Sequence, residues 1–197
     1  MTRLVLASAS PARLATLRAA GLDPEVVVSG VDESTVTTPE PAALALELAV
    51  LKARAVAARV AGALVVGCDS VLELDGAAYG KPADADEARS RWRSMRASTG
   101  VLHTGHCVID GTGCEHARGA ATTVHFADVT DDEIDAYVAT GEPMQVAGAF
   151  TVDGLGGAFV RGIEGDHHNV VGISLPLLRE MLAAVDVPWT ALWSPVP

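Results

Sequence analysis

The sequence predicts an α/β fold, in which helices flank a mixed, twisted sheet and two lobes surround a central cleft. Two observations predict it. Short apolar runs alternate along the chain with segments of helical period. Asp75-Gly76 and Asp110-Gly111 are hairpin signals, which make part of the sheet antiparallel. Because no internal repeat or low-complexity linker divides the 197 residues, we expect one domain over residues 1–197.

The first elements are predicted to form a strand–helix–strand unit. The apolar run 4–7 indicates a buried strand, and 25–29 indicates a second one. The helix between them begins after Ser10, which suits an N-cap, with Pro11 in the first turn, where a missing N–H costs nothing. Gly21 ends this helix.

The middle of the chain contains the longest predicted helix and the most apolar strand. Residues 41–59 have helical period, with Leu44, Leu48 and Leu51 spaced for a buried face. The run 63–68 is short, continuous and apolar, which is typical of a central strand.

The second half continues the alternation of helices and strands. Its predicted elements are a helix over 84–97, a strand pair over 101–109 and 120–129, a helix from the capping box at Thr130 to Gly141, and a last helix over 174–184. Residues 151–160 are rich in glycine and are expected to form a turn, and 165–172 a polar loop. Trp189 and Trp193 lie in a proline-containing tail that could form contacts.

The composition excludes several classes of partner. Lys and Arg number 14 against 25 Asp and Glu, a net charge of −11, so a broad nucleic-acid or anionic-membrane surface is not expected. No apolar run is long enough to span a bilayer, and no signal peptide is evident. Three cysteines without a CxxC pair favour a reducing compartment. The negative net charge does not exclude a small anionic substrate bound in a local basic pocket.

A phosphate-binding loop is predicted where the first strand meets the first helix. Free backbone N–H groups and the helix dipole favour an anion at such a junction. The hydroxyls of Ser8 and Ser10 and the guanidinium of Arg13 would complete the site. An ordinary capped junction, which binds nothing, is the alternative.

Carboxylates follow two of the predicted strands. Glu33 comes shortly after the second strand and could hold a metal ion or lie in a solvated turn. Asp69 follows the apolar strand 63–68, and ligands bind at the carboxyl ends of central strands in open α/β sheets. We therefore expect Asp69 to act as a general base or metal ligand rather than as a cap.

Two lysines are further candidates, whereas a pair of histidines is not. Lys81, in Gly80-Lys81-Pro82, could neutralise a phosphate, although the Walker A pattern is absent. Lys52 lies near the apolar face of the long helix and could extend to solvent or point into a cleft. His167 and His168 are adjacent, and adjacent residues seldom bind one ion, so a zinc site is not expected.

Taken in order, these segments resemble the Maf family, the septum-formation-inhibitor Maf-like proteins. The matching segments are Ser8–Arg13 (family pattern SxSPRR), Gly30–Glu33 (GVDE), Lys52, Asp69-Ser70, Gly80–Pro82 (GKP), His103–Gly105, Tyr137–Glu142 (YxxTGE), Ala147–Phe150 (AGAY/F) and Gly165–Gly172 (GDxxNVVG). They cover nearly the whole chain.

The resemblance implies a nucleoside triphosphate pyrophosphatase with the mixed sheet of Maf and inosine-triphosphatase proteins. Such enzymes are cytoplasmic homodimers that use Mg²⁺ or Mn²⁺, cleave between the α and β phosphates, and clear surplus or non-canonical nucleotides, with a link to cell-division arrest. It implies that Asp69 is the general base. The contacts to phosphate and metal carry over to Ser8, Arg13, Glu33, Lys52 and Lys81.

Three departures from the family pattern leave the base preference open. Ala12 replaces the first arginine of SxSPRR, Ser70 stands where Thr or Gln is usual, and Thr151–Asp153 replaces the Gly-Ile-Gln of the branch that acts on dTTP and UTP. The segment 147–150 resembles that pyrimidine branch more than the branch that acts on 7-methyl-GTP. A non-catalytic regulator of septation, a phosphatase releasing orthophosphate and an interaction module remain as alternatives.

Overall fold

Seven strands form one mixed sheet in the computed structural model, which describes residues 2–194. They are β1 (Leu4–Leu6), β2 (Glu25–Val26), β3 (Leu64–Leu74), β4 (Ala77–Tyr79), β5 (Thr99–Ile109), β6 (Glu115–Phe126) and β7 (Val160–Glu164). The helices are α1 (Pro11–Ala19), α2 (Pro41–Ala57), α3 (Ala85–Met95), α4 (Asp131–Ala139), α5 (His167–Val171) and α6 (Leu175–Ala183). Short 3₁₀ turns connect several of them.

The strand order is β2-β1-β3-β5-β6-β7, with β4 paired to β3. β1 is parallel to β2 and β3, whereas the remaining pairs are antiparallel. The predicted mixed α/β sheet is therefore confirmed.

The long strands β3 and β5 connect two halves of the sheet. In the first half, α2 covers one face, while α1 and α6 cover the other. In the second half, α3 and α4 cover a single face around the buried Trp92, whose indole N–H donates to the carbonyl of Ala149 at 2.8 Å. The aromatic residues are few, and five of them pack edge-to-face in this half: Trp92, Phe126, Tyr137, Phe150 and Phe159.

Several predicted boundaries are wrong. The apolar strand does not end at residue 68 but continues as β3 to Leu74, because its second part pairs with both β4 and β5. The strand predicted over 120–129 is β6, Glu115–Phe126, and the second strand is shorter than 25–29. β7 was not predicted, and the expected loop 165–172 contains the short helix α5.

The chain ends were predicted only in outline. In the tail, a 3₁₀ turn covers Trp189–Leu192, and Trp193 forms an isolated bridge with Leu22. Residues 195–197 lie outside the described part of the chain. Within residues 2–194, no helix has both the length and the apolar character needed to cross a bilayer.

Candidate active site

The junction of β1 and α1 has the predicted local structure. Ser10 is the N-cap of α1, and its Oγ accepts from the backbone N–H of Arg13 at 3.4 Å. Pro11 occupies the first turn. Ser8 is buried, and its Oγ accepts from the N–H of Ser10 at 3.2 Å. The serines therefore hold the loop in place at the start of the helix.

Arg13 is a buried cation without an anionic partner among residues 2–194. It is 9% exposed. Its Nε donates to the carbonyl of Gly172 at 2.7 Å, its Nη1 to Ser8 Oγ at 3.1 Å and its Nη2 to Ser70 Oγ at 3.0 Å. All three acceptors are neutral. Because a buried charge is costly when no opposite charge accompanies it, this guanidinium is suited to bind an anion.

The pKa of a buried histidine, His106, depends in part on the positive charge of Arg13. His106 is fully buried; its Nδ1 lies 3.1 Å from the carbonyl of Thr104, and its Nε2 accepts from the N–H of Ser174 at 2.8 Å. Burial, and then the charge of Arg13, lowers the pKa of His106 to about 4. The ring is therefore neutral at pH 7 and supports the start of α6. The sequence analysis did not single out His106, because it lies inside an apolar strand.

On the opposite face of the sheet, Lys52 joins two carboxylates. Lys52 is buried and forms ion pairs with Asp69 and, at 2.6 Å, with Glu33. Of the two directions open to Lys52 from the sequence, the side chain does not extend to solvent but points inward to these carboxylates. Burial raises the pKa of the Asp69 carboxyl, and the positive charges of Lys52 and Arg13 oppose part of that rise.

Close packing of α2 against the sheet brings Lys52 to Asp69. The buried face of α2 contains Ala45, Ala49 and Ala53 but only one of the three leucines predicted for it, Leu48. A Cβ at Gly105 would collide with the carbonyl of Ala45, and a Cβ at Gly67 with that of Ala49. Small residues on both sides therefore let the helix backbone lie directly on β3 and β5. This allows a lysine to reach a strand side chain while remaining buried.

Asp69 lies in the middle of β3, not at its end as predicted. β1 pairs with β3 only as far as Val66, and β4 begins to pair at Leu72. One edge of β3 is thus open between these positions, immediately beyond the carboxyl end of β1. Asp69 lies within this open stretch of β3.

Lys81 is exposed, two residues beyond the end of β4. β4 is antiparallel to β3, with Tyr79 opposite Leu72. The pairing ends there, and the carbonyl of Gly80 accepts instead from the N–H of Gly148 at 3.0 Å. Of the predicted residues, the described contacts thus connect Ser8, Ser10 and Arg13 on one face and Glu33, Lys52 and Asp69 on the other, whereas within residues 2–194 no hydrogen bond or ion pair joins the Lys81 side chain to either group.

Two of the departures from the family pattern line one cavity. Ala12 and Asp153 both border a cavity of about 400 Å³ between α1 and α5, together with His167 and His168. The two imidazole rings are edge-to-face, with centroids 5.3 Å apart. This cavity adjoins the first turn of α1 and is therefore next to the predicted phosphate-binding loop.

Glu142 organises the loop that contains Asp153. Its carboxylate accepts from Tyr137 OH, Thr151 Oγ1 and the backbone N–H groups of Leu155 and Gly156, at 2.6 to 3.0 Å. These hydrogen bonds outweigh the effect of burial and lower its pKa. The TGE segment signalled Glu142 in the sequence, but only the structure shows this role.

The two carboxylates at Lys52 fit a divalent cation bound together with a substrate. Both Glu33 and Asp69 contact one ammonium nitrogen, so their oxygens are near each other. Mg²⁺ is commonly held by one or two carboxylates plus substrate phosphates and waters. Within the described residues, no three His, Cys, Asp or Glu side chains form a metal site by themselves.

Comparison with known proteins identifies the family. The model of the family described as Maf-like protein matches residues 3–185. The chain belongs to this family. The match confirms the resemblance expected from the sequence motifs, and it spans both the β1–α1 loop and the helix α5.

Curated members of the family are similar over their full length. A protein of Streptomyces coelicolor named nucleoside triphosphate pyrophosphatase is 62% identical over 98% of this chain and 95% of its own. A protein of Salinispora tropica with the same name is 61% identical over 98% of this chain and 88% of its own. Both relatives are therefore similar to this chain over most of their length.

Solved structures of Ham1 proteins share the fold. The Staphylococcus aureus Ham1 protein superposes with a TM-score of 0.53 at 13% identity, over 93% of this chain and 100% of that one. A HAM1 protein of Coxiella burnetii superposes with a TM-score of 0.51 at 17% identity, with the same coverage. At such low identity these likenesses concern the architecture alone.

Proposed function

We propose that this protein is a nucleoside triphosphate pyrophosphatase, which hydrolyses its substrate to a nucleoside monophosphate and pyrophosphate. The observation that carries the proposal is Arg13, a buried guanidinium whose three described partners are neutral and whose charge acts through the sheet on the carboxyl of the buried Asp69–Lys52 pair. A polyphosphate would supply the missing negative charge. The names of the similar proteins from Streptomyces coelicolor and Salinispora tropica support the same reaction.

In the proposed reaction, cationic groups bind the phosphates, and Asp69 activates water. Arg13, Lys52, Lys81 and the N-terminus of α1 would offset the negative charge that develops at phosphorus. Asp69 would take a proton from a water molecule that attacks the α-phosphorus. The bond from the α-phosphorus to the bridging oxygen then breaks, and pyrophosphate leaves. A carboxyl whose pKa is raised by burial is a better base near neutral pH than an exposed one.

We propose that Glu33 and Asp69 hold a divalent cation, Mg²⁺ or Mn²⁺, together with the phosphates. Such an ion would add positive charge at the phosphoryl oxygens. Lys52 lies between the two carboxylates and would keep their mutual repulsion low before substrate binds. If one oxygen of the Asp69 carboxylate binds the cation, the other must stay available to accept the proton of the attacking water.

The biological setting is proposed from the family resemblance. It favours a cytoplasmic, homodimeric enzyme that clears surplus or modified nucleotides, with a possible connection to cell division. The segment 147–150 favours pyrimidine triphosphates, although Asp153 differs from the residue in the dTTP and UTP branch. No nucleic acid or membrane is proposed as a partner, given the net charge of −11.

Product analysis tests the proposal. Purified protein is incubated with Mg²⁺ or Mn²⁺ and a panel of canonical and modified nucleoside triphosphates. Release of monophosphate and pyrophosphate supports it, and the panel gives the base preference. Release of orthophosphate and diphosphate would assign another class of phosphohydrolase. Tight binding without turnover would favour a nucleotide-binding regulator.

A further inference from the structure

A chain of hydrogen bonds leads from Arg13 into the interior of the sheet. Arg13 Nη2 lies 3.0 Å from Ser70 Oγ, which lies 3.0 Å from Thr104 Oγ1, which in turn lies 3.2 Å from the carbonyl oxygen of Asn169. Thr104 and Asn169 are fully buried. We call Ser70 and Thr104 with these contacts the hydroxyl chain.

The groups at the two ends of the hydroxyl chain determine which atom donates in each of its hydrogen bonds. The carbonyl of Asn169 can only accept, so Thr104 must donate its single proton to it. Ser70 must then donate its own proton to Thr104. The oxygen of Ser70 is left as an acceptor, and the guanidinium of Arg13 can only donate. Each hydroxyl therefore has one arrangement that satisfies every partner.

Both Arg13 and the hydroxyl chain end on carbonyls of α5. Arg13 Nε donates to Gly172, the C-cap of this helix, while Thr104 donates to Asn169. The carbonyl of Asn169 also accepts from the N–H of Gly172 at 3.1 Å, so Thr104 is a second donor to it, and carbonyls at the C-terminus of a helix attract positive charge. The guanidinium is thus held at three points, on the β1–α1 loop, on β3 and on α5.

The remaining donors of Arg13 are directed by these three bonds. A guanidinium has five N–H groups in a planar fork. Three of them have partners, one on each nitrogen, so each of the two Nη nitrogens keeps one N–H for a ligand. Because the fork is rigid, fixing three N–H groups also fixes the direction of these two.

We infer that Ser70 and Thr104 are positioning residues, which orient the guanidinium of Arg13 so that its two remaining N–H groups face a phosphate. The inference rests on the proposed function, since it assigns the phosphate to this site. Its binding part is independent of turnover, because inorganic tripolyphosphate can serve as the probe. Ser70 and Thr104 do not contact the reacting atoms in this account.

The decisive variant is Thr104→Val, which removes one hydroxyl that is two hydrogen bonds away from Arg13 and three from any ligand that Arg13 binds. Without Thr104 as acceptor, Ser70 is free to rotate, and Arg13 loses its fixed partner. We expect binding of tripolyphosphate, measured by calorimetry, to weaken about tenfold, the scale of one hydrogen bond to a charged group. Thr104→Ser keeps the hydroxyl and should stay within about twofold of wild type.

Thr122→Val is the matched control. Thr122 is also fully buried, on the neighbouring strand, and its hydroxyl also contacts α5, through the carbonyl of Asp166 and the side chain of Asn169. The Thr122 hydroxyl has no hydrogen bond to Ser70 or Arg13 among the described residues. A general loss of α5 anchoring would therefore affect both valine variants, whereas the hydroxyl chain is broken only by Thr104→Val.

Ser70→Ala and Ser70→Thr provide a second pair if Thr104→Val does not fold. Ser70 is partly exposed and tolerates substitution more readily. We expect the alanine variant to weaken tripolyphosphate binding and to raise KM more than it lowers kcat, and the threonine variant to restore both. Equal binding in Thr104→Val and Thr122→Val, or no rescue by the hydroxyl-bearing variants, would overturn the inference.

The outcome for the hydroxyl chain is separable from that for the reaction. A wild-type protein that binds tripolyphosphate but releases no pyrophosphate from any nucleotide would contradict the proposed function. The variant series would still test the hydroxyl chain in that protein. A wild-type protein that does not bind tripolyphosphate at all would overturn the inference as well.

Discussion

Lys52 and Asp69 form a buried ion pair between α2 and β3, with 10% and 11% of their side chains exposed. Glu33, which is half exposed, is the second partner of the same ammonium. Removing one member of a buried pair leaves the other uncompensated. When Asp69 is neutralised, Glu33 remains as a partner for Lys52. Substitution at Asp69 therefore tests its role in catalysis without leaving Lys52 as an unpaired buried charge.

Asp69→Asn is expected to abolish most turnover while the fold is kept. The amide has the shape of the carboxylate but cannot accept a proton, and general-base catalysis contributes about 10²–10⁴-fold. Pyrophosphate release gives the rate, and a thermal melt shows whether the protein is folded. A variant with the wild-type rate would remove Asp69 from the mechanism.

Arg13→Gln is expected to remove the stabilisation of the protein by polyphosphate. In the wild type, pyrophosphate or tripolyphosphate should raise Tm, because a ligand that binds only the folded state stabilises it. Without the guanidinium this rise should disappear. Thermal melts with and without the anion measure it. An undiminished rise in Arg13→Gln would place the anion site elsewhere.

Gly105→Ala is expected to destabilise the protein and to impair catalysis together. The added methyl group would meet the backbone of Ala45 and push α2, with Lys52, away from β3, at a cost of about 1–3 kcal/mol. Gly119→Ala is the control. Gly119 lies directly opposite Gly105 on β6, and a Cβ there meets nothing. Denaturant unfolding and pyrophosphate release should change in the first variant and not in the second.

His106→Gln is expected to reduce the decrease in the free energy of unfolding that the wild-type protein shows as the pH falls from 7 to 4.5. Because the folded pKa is about 4 and the usual value is 6.5, the unfolded chain binds a proton that the folded protein does not. Stability from the neutral ring is complete above pH 6.5 and is lost as the pH falls towards 4, by about 3 kcal/mol. Urea unfolding between pH 7 and 4.5 measures the slope. If the free energy of unfolding of the variant falls with pH as steeply as that of the wild type, the prediction is wrong.

Glu33→Gln is expected to raise the concentration of Mg²⁺ or Mn²⁺ that gives half-maximal activity. Loss of one carboxylate oxygen weakens a site that depends on few protein ligands. Glu180→Gln is a suitable control, since Glu180 is also half exposed and ion-paired, with Arg118. The rate of pyrophosphate release is measured against the concentration of Mg²⁺ or Mn²⁺ in both variants. An unchanged titration in Glu33→Gln would exclude Glu33 as a ligand.

Prediction from the sequence was most successful where local chemistry decides. The N-caps at Ser10 and Thr130 are observed, because a cap depends on residues within one turn. The candidates Glu33, Lys52 and Asp69 do come together. The leucine face predicted for α2 was wrong for two of its three leucines, since only Leu48 is buried and the contact with the sheet depends on alanines opposite two glycines.

Residues that act through distant partners could not be found in this way. Thr104 and His106 lie within an apolar strand, and their partners Asn169 and Ser174 are more than 60 positions away. Their polarity has no local explanation, and although Thr104 lies in the matched segment His103–Gly105, that match assigned it no role. Only the folded chain shows that these side chains support Arg13 and the start of α6.

The sequence by itself determined the alternation of elements, the capped β1–α1 junction and the set of charged residues, since these follow from short-range spacing and residue type. The tertiary structure decided that Asp69 lies on an open strand edge, that Lys52 points inward and that Arg13 is left with neutral partners. Those features depend on strand register and on how closely helices approach the sheet. Both are set by packing between residues far apart in the chain.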